Sequence, residues 1–246
     1  MGVGKRNRKM NIKKGRLFGV GTGPGDPELV TRKAWRIVSE VSVVAYPAPD
    51  SGDSFSRQIM ADAIRPDAIE VPIVIPMVSG RAPAQAIYDA AAETLLDHLN
   101  AGRDVAVLCE GDPLFYGSFM YLLARLRDEV EVEMIAGVSS LVASASAALR
   151  PLAARMDVLT VLAAPLDNDR LRDAMAASES VVIIKLGRHL DRLRALIADQ
   201  GLMDHAIYIS HASLPHQQVM PLKDAPIDAP YFSMILIYKG SDPWIA

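Results

Sequence analysis

From residue 17 onward, short apolar runs alternate with longer amphipathic ones, and this pattern constrains the chain more than any other feature. Strand-like runs fall at 17–21, 42–46, 70–75, 105–109, 130–135, 158–163, 180–186, 206–210 and 232–238. Between them the spacing predicts helices, among them 54–64, 84–100, 117–126, 139–149, 167–177 and 188–200. Strands separated by helices of ten or more residues predict α/β architecture, with parallel sheets covered on both faces. The last two strands are separated by a Pro-rich stretch rather than a helix, which predicts an antiparallel finish. The expected division is a disordered basic leader over 1–15, an N-terminal α/β domain over 16–133 and a C-terminal α/β domain over 134–246, with a ligand cleft between the two.

Local signals sharpen several of these elements. Asp26 is placed to cap a helix with Pro27 at its first position and Glu28 beside it, followed by the stripe Leu29, Val30, Ala34, Ile37, Val38. Pro47 and Pro49 are expected to end the second strand, and Pro72 requires the third to lie on an edge or to begin there. Ile87, Ala91, Leu95 and Leu99 share one helical face, with Gly102 just past its end.

Composition and charge exclude several function classes. Half of the residues are apolar and 22% are charged, which gives ample material for a core. No apolar run approaches the roughly 20 residues of a membrane-spanning helix. A single cysteine, Cys109, excludes an intramolecular disulfide and a Cys-based zinc site, so the expected compartment is the cytoplasm. The net charge of −3 hides an asymmetry, because residues 1–16 carry seven lysines and arginines and no acid. The remainder has 19 basic against 29 acidic residues, a net charge of −10, and the chain holds 14 aromatics. An acidic body poor in aromatics is badly suited to nucleic acid. The leader lacks the apolar stretch of a secretory signal and reads as a disordered tail or a misassigned start.

Three loops at predicted strand ends carry the chemistry. The first, Gly19-Val20-Gly21-Thr22-Gly23-Pro24-Gly25-Asp26, fails both the dinucleotide fingerprint and the Walker A pattern. Its Asp26 puts a carboxylate where those motifs hold a phosphate, so the loop suits a phosphate-free ligand. The second, Glu110-Gly111-Asp112-Pro113, ends a buried strand with two closely spaced acids, suited to an ammonium, a ribose or a metal, or to capping a helix. The third, Ala136-Gly137-Val138-Ser139-Ser140, opens a helix with hydroxyls and free amides. The five histidines show no metal-ligand spacing, and no metal is expected.

Taken in this order, the three loops resemble the class III S-adenosylmethionine-dependent tetrapyrrole methyltransferases, from about Arg16 to Gly240. Within that family, the segments 109–121, 150–155, 185–189 and 231–236 are similar to the branch that methylates precorrin-2 at C(20) in cobalamin biosynthesis. The resemblance implies a homodimer, S-adenosylmethionine as methyl donor and a tetrapyrrole acceptor. It also implies donor contacts from Pro24, Gly111, Asp112, Phe115, Ser139, Ser140, Leu186 and Ala212. Arg150 and Arg155 flank a short Pro-Leu-Ala-Ala segment and are expected to clamp substrate carboxylates.

The implied reaction is an in-line displacement at a sulfonium methyl by an electron-rich ring carbon, which asks the protein mainly for positioning. No catalytic residue is assigned; Glu110, Asp112 and Tyr116 are candidates by position for a base. Two other readings stand beside this one: a cobalt-containing substrate, and a non-catalytic tetrapyrrole-binding module.

Overall fold

The computed structural model describes residues 13–50, 53–75 and 82–240. Contacts divide the chain into two compact units, one holding the chain up to Gly23 and Pro27–Gly137, the other Pro24–Asp26 and everything from Val138. The division falls after Gly137 rather than at 133/134 because the strand that ends at Ile135 completes the first sheet. Of the basic leader, residues 1–12 lie outside the described residues. Lys14 and Gly15 are anchored: the Lys14 ammonium donates to Glu129 O at 3.0 Å, and Gly15 N–H to Leu99 O at 2.8 Å.

The first unit contains strands β1 (Leu17–Gly21), β2 (Val43–Ala48), β3 (Ile69–Val74), β4 (Val105–Cys109) and β5 (Val132–Ile135). They form one parallel sheet in the order β3-β2-β4-β1-β5. Its helices are α1 (Arg32–Glu40), α2 (Phe55–Ile59), α3 (Ala82–Asn100) and α4 (Phe119–Leu126). Side chains alternate across the sheet, as the period of a strand requires. Leu17, Val43, Ala45, Val105 and Val107 pack with Leu95, Leu99, Phe119 and Leu122 of α3 and α4. Phe18, Val20, Val44, Ala106 and Leu108 pack with Ala34, Ile37 and Val38 of α1 on the opposite face.

Three local expectations need correction here. Asp26 and Pro27 introduce only a single 3₁₀ turn over Pro27–Leu29, and the cap of α1 is Thr31, whose hydroxyl accepts from Ala34 N–H at 3.1 Å. Pro47 does not end β2: the β4 side of that strand is unpaired past Ala45, so a missing N–H there breaks no ladder bond to β4. The helix expected over 54–64 is shorter, ending at Ile59 and continuing as turns. Pro72 does lie on the edge strand β3.

The second unit contains β6 (Leu159–Ala163), β7 (Ser180–Ile184), β8 (Ala206–Ser210), β9 (Gln218–Pro221) and β10 (Ser233–Tyr238), in the order β6-β7-β10-β8-β9. β6 and β7 are parallel, whereas β10 runs antiparallel to β7 and β8, and β9 antiparallel to β8. β9 lies inside the stretch read as a plain Pro-rich connection. Helices α6 (Asn168–Ala177) and α7 (Leu190–Asp199) cover one face through Leu171, Met175, Leu193 and Ile197. Helix α5 (Ser140–Ala148) covers the other, with Leu141 and Ala143 on Val182, Ile184, Ile209, Met234 and Leu236. Among the described residues no helix is long and apolar enough to cross a membrane.

Candidate methyl-donor and tetrapyrrole site

In a parallel sheet of order β4-β1-β5, the carboxyl ends of three neighbouring strands share one edge, and each motif loop leaves from one of them. The backbones there touch directly. A Cβ on Gly137 would stand 2.0 Å from Gly111 O and 2.8 Å from Gly21 Cα, and one on Gly21 would stand 2.6 Å from both Gly111 O and Gly137 N. Only glycine fits at these positions. Gly23 and Gly111 exchange backbone hydrogen bonds of 3.3 and 2.8 Å, and both adopt the left-handed region, at φ 79° and 64°. Thr22 is fully buried, and its N–H and hydroxyl both donate to Cys109 O, at 2.9 and 3.1 Å.

Asp112 fastens this junction. Its Oδ1 accepts from Leu114 N–H at 2.9 Å and its Oδ2 from Gly137 N–H at 3.1 Å, which ties the second motif to the third. Leu114, Phe115 and Tyr116 follow in the same loop with exposed side chains, and the Phe115 and Tyr116 rings meet edge to face at 5.1 Å. An exposed apolar run next to a glycine junction is a surface suited to a flat or aromatic ligand. Burial pushes the Cys109 thiol up to about 12, so it is protonated and unreactive at neutral pH. Glu110 is partly buried, and burial raises its carboxyl above the ordinary range against hydrogen bonds from Ser56 that favour the charged form.

In the second unit, β7 and β8 run in the same direction with β10 between them, so their carboxyl ends lie roughly 9–10 Å apart on one sheet edge. Each end has the same unusual backbone. Leu186 stands between Lys185 at φ 60° and Gly187 at φ 40°, and Ala212 between His211 at φ 51° and Ser213 at φ 72°. A left-handed residue other than glycine costs on the order of 1–3 kcal/mol, and such strain concentrates at functional sites. The Leu186 side chain is fully buried in the core under α6 and α7, so what Leu186 can offer a ligand is its backbone. Ser213 is well tied: its N–H donates to Gln217 Oε1 at 2.8 Å, and its hydroxyl accepts from Asp26 N–H at 3.2 Å. That second bond joins Pro24–Asp26, with partly buried Pro24, to the β8 end. His211 and His216 rings lie 4.3 Å apart, and burial together with His216 lowers the His211 pKa.

Ser139 caps α5, its hydroxyl accepting from Leu141 N–H at 3.2 Å, and Ser140 opens the helix partly buried. The helix ends at Leu149 in the left-handed region. Arg150 is partly buried, and Arg155 is exposed at φ 47°. Next to them in sequence, Leu149 and Met156 are 92% and 89% exposed, so two exposed apolar side chains flank the segment that carries the two cations. Asp157 fixes its far end, accepting from Ala154 N–H and the Tyr238 hydroxyl, both at 2.9 Å. Sequence reasoning missed Thr22 and Ser213, which carry no motif signal and matter through the backbone they hold.

A family model described as tetrapyrrole (corrin/porphyrin) methylases matches residues 16–226. The chain belongs to this family. Among tetrapyrrole methylases it is similar to the precorrin-2 C(20)-methyltransferase of Sinorhizobium sp, 39% identical over 237 residues that cover 93% of this chain and 97% of that protein. It is also similar to the cobalt-precorrin-2 C(20)-methyltransferase of Salmonella typhimurium, 30% identical over 92% of this chain and 97% of that protein. The uroporphyrin-III C-methyl transferase of Thermus thermophilus, solved as a complex with S-adenyl homocysteine, shares its fold at a TM-score of 0.67. That likeness covers 92% of this chain and 98% of that one at 24% identity. The tetrapyrrole methylase architecture expected from the three loops is thus the observed one.

Proposed function

We propose that this chain transfers a methyl group from S-adenosylmethionine to C(20) of precorrin-2, giving precorrin-3A in cobalamin biosynthesis. The observation that carries the reading is the junction of the three motif loops at the β4-β1-β5 edge, in a chain alike along almost its whole length to a relative named for this reaction. The metal-free substrate is preferred because the relative named for it is 39% identical, against 30% for the one named for the cobalt form. The donor supplies a sulfonium methyl, and this chain's residues bind, orient and exclude water. Gly111 and Asp112 hold the amino-acid or ribose portion, Asp112 through the loop it fixes and its remaining lone pairs. Pro24, Phe115, Ser139, Ser140 and the backbones of Leu186 and Ala212 complete the donor contacts. An acidic, phosphate-free setting suits a donor carrying an ammonium and a sulfonium. Arg150 and Arg155 bind acceptor carboxylates, which an acidic body would otherwise repel. We also infer a homodimer acting in the cytoplasm.

Two titrations test this. Calorimetry with S-adenosylhomocysteine should give saturable binding, and turnover should be faster with metal-free than with cobalt-loaded precorrin-2. Preference for the cobalt form would transfer the chain to the other branch. Absence of donor binding would favour a non-catalytic tetrapyrrole-binding module.

A further inference from the structure

The apolar stripe of α1 faces the first sheet, and the same helical period turns a second set of side chains outward. Ala34, Ile37 and Val38 are buried, so Arg32, Lys33, Trp35 and Arg36 face away from the sheet and are exposed. With partly buried Val30, just before the helix, these four line a hollow of about 680 Å³, within the range of small-molecule sites. Positions 32, 35 and 36 lie within one turn, so two arginines and an indole line the hollow together. Trp35 is 39% exposed, a large apolar face that the core does not claim. Arg32 has no acid partner among the described residues, and its charge is left uncompensated. Lys33 is paired with Glu133 at 2.5 Å and Arg36 with Glu40 at 3.1 Å, all with well-exposed side chains. Exposed pairs of this kind contribute little and exchange readily for an incoming carboxylate.

Three cations around one hollow stand out in an acidic body, since residues 17–246 carry 19 basic against 29 acidic side chains. An extended polyanion such as nucleic acid would run from this patch onto acidic surface, and Glu40 and Glu133 already stand at its borders. A compact ligand keeps its negative charge within the patch. The indole adds a second requirement, a flat ring that can lie on it, and guanidinium forks match carboxylates. We propose that the hollow over α1 holds a flat tetrapyrrole polycarboxylate, its ring on the Trp35 indole and its carboxylates on Arg32, Lys33 and Arg36; the choice of ligand rests on the C(20)-methylation reading above. None of the described lining residues belongs to the three motif loops, so this is a second site for the macrocycle, where no bond is made or broken. It keeps a polyanion near a protein whose overall charge repels it.

The probe is uroporphyrin III, a stable, flat tetrapyrrole polycarboxylate. Calorimetry on wild type should show a binding event on α1 that weakens steeply as salt is raised. A stacked macrocycle shifts nearby protons upfield by its ring current, so the Trp35 indole N–H signal in nitrogen-15 NMR should move upfield with that event. Trp35→Phe identifies the signal beside the one from Trp244. Arg32→Glu combined with Arg36→Glu should abolish the shift and lower the affinity of that event by about 10²-fold or more. Trp35→Ala should weaken it by up to about tenfold. The replaced side chains are exposed, so each variant should melt within about 2 °C of wild type and keep its kcat for C(20) methylation. Uroporphyrin binding that leaves the Trp35 signal in place, or that the double variant retains at full strength, overturns the proposal. So does ATP or single-stranded RNA that moves the signal at concentrations where uroporphyrin does not. In either case, methylation at C(20) by wild type leaves the functional reading standing. Wild type that moves the Trp35 signal with uroporphyrin but methylates another carbon, or none, supports the site and overturns the functional reading instead.

Discussion

Replacing Asp112 with alanine removes a side chain that joins the second and third motif loops. Two hydrogen bonds are lost, from Leu114 N–H at 2.9 Å and Gly137 N–H at 3.1 Å. A hydrogen bond to a charged group contributes about 1.5–3 kcal/mol, giving roughly 3 kcal/mol for the pair at the low end. Leu114 is exposed, so water restores much of its share, and about 2 kcal/mol remains. For a chain of this size that corresponds to a fall in melting temperature of roughly 4–8 °C. On the proposed donor contacts, binding draws on the same ordered junction, so its affinity should fall by about 30-fold. Asp112→Asn should lie between, since its amide can serve only one of the two N–H groups and repels the other. Thermal unfolding and calorimetry with S-adenosylhomocysteine measure both quantities. Lost affinity with an unchanged melting temperature would refute the clamp and make Asp112 a direct ligand contact; no change in either would remove it from the site.

Two further outcomes follow from the geometry. Gly137→Ala drives a Cβ into Gly111 O and Gly21 Cα, neither of which can yield cheaply, and should cost about 3 kcal/mol; the melting temperature should drop by roughly 6–12 °C, with donor affinity falling alongside it. Arg150→Ala and Arg155→Ala should each raise the tetrapyrrole KM about tenfold or more while sparing donor affinity, and lysine should recover only part of the loss; normal tetrapyrrole saturation in both alanine variants would exclude the clamp.

Apart from β9, the strands of both sheets were largely legible because they are short apolar runs bounded by turn residues. β1 and β4 match the reading residue for residue. The misses share one cause: tertiary context that no local pattern reports. Asp26 and Pro27 look like a helix start, yet the chain needs one more turn before Thr31 can cap α1. Pro47 is tolerated because β4 stops pairing with β2 beyond Ala45. β9 has little strand character of its own and exists because β8 offers it an open edge. In the candidate site, the glycine motifs were visible but their purpose was not: Gly21 and Gly137 are required by contact with each other and with Gly111 O, and Gly111 by its left-handed backbone. Leu186 was expected against the donor, but an apolar residue at a strand end is claimed by the core, leaving only its backbone. The left-handed conformations of Lys185, His211 and Ser213 have no sequence signal, since none of these residues favours that region as glycine does.

The central claim, methyl transfer to C(20) of a metal-free tetrapyrrole, is tested most directly by locating the methyl group. The purified protein would be incubated with precorrin-2 and S-adenosylmethionine carrying carbon-13 in its methyl group, and the product examined by carbon-13 NMR. The account predicts one new labelled methyl per macrocycle, attached at C(20), formed together with one equivalent of S-adenosylhomocysteine. A label at any other ring carbon, or donor binding without label transfer, would contradict it.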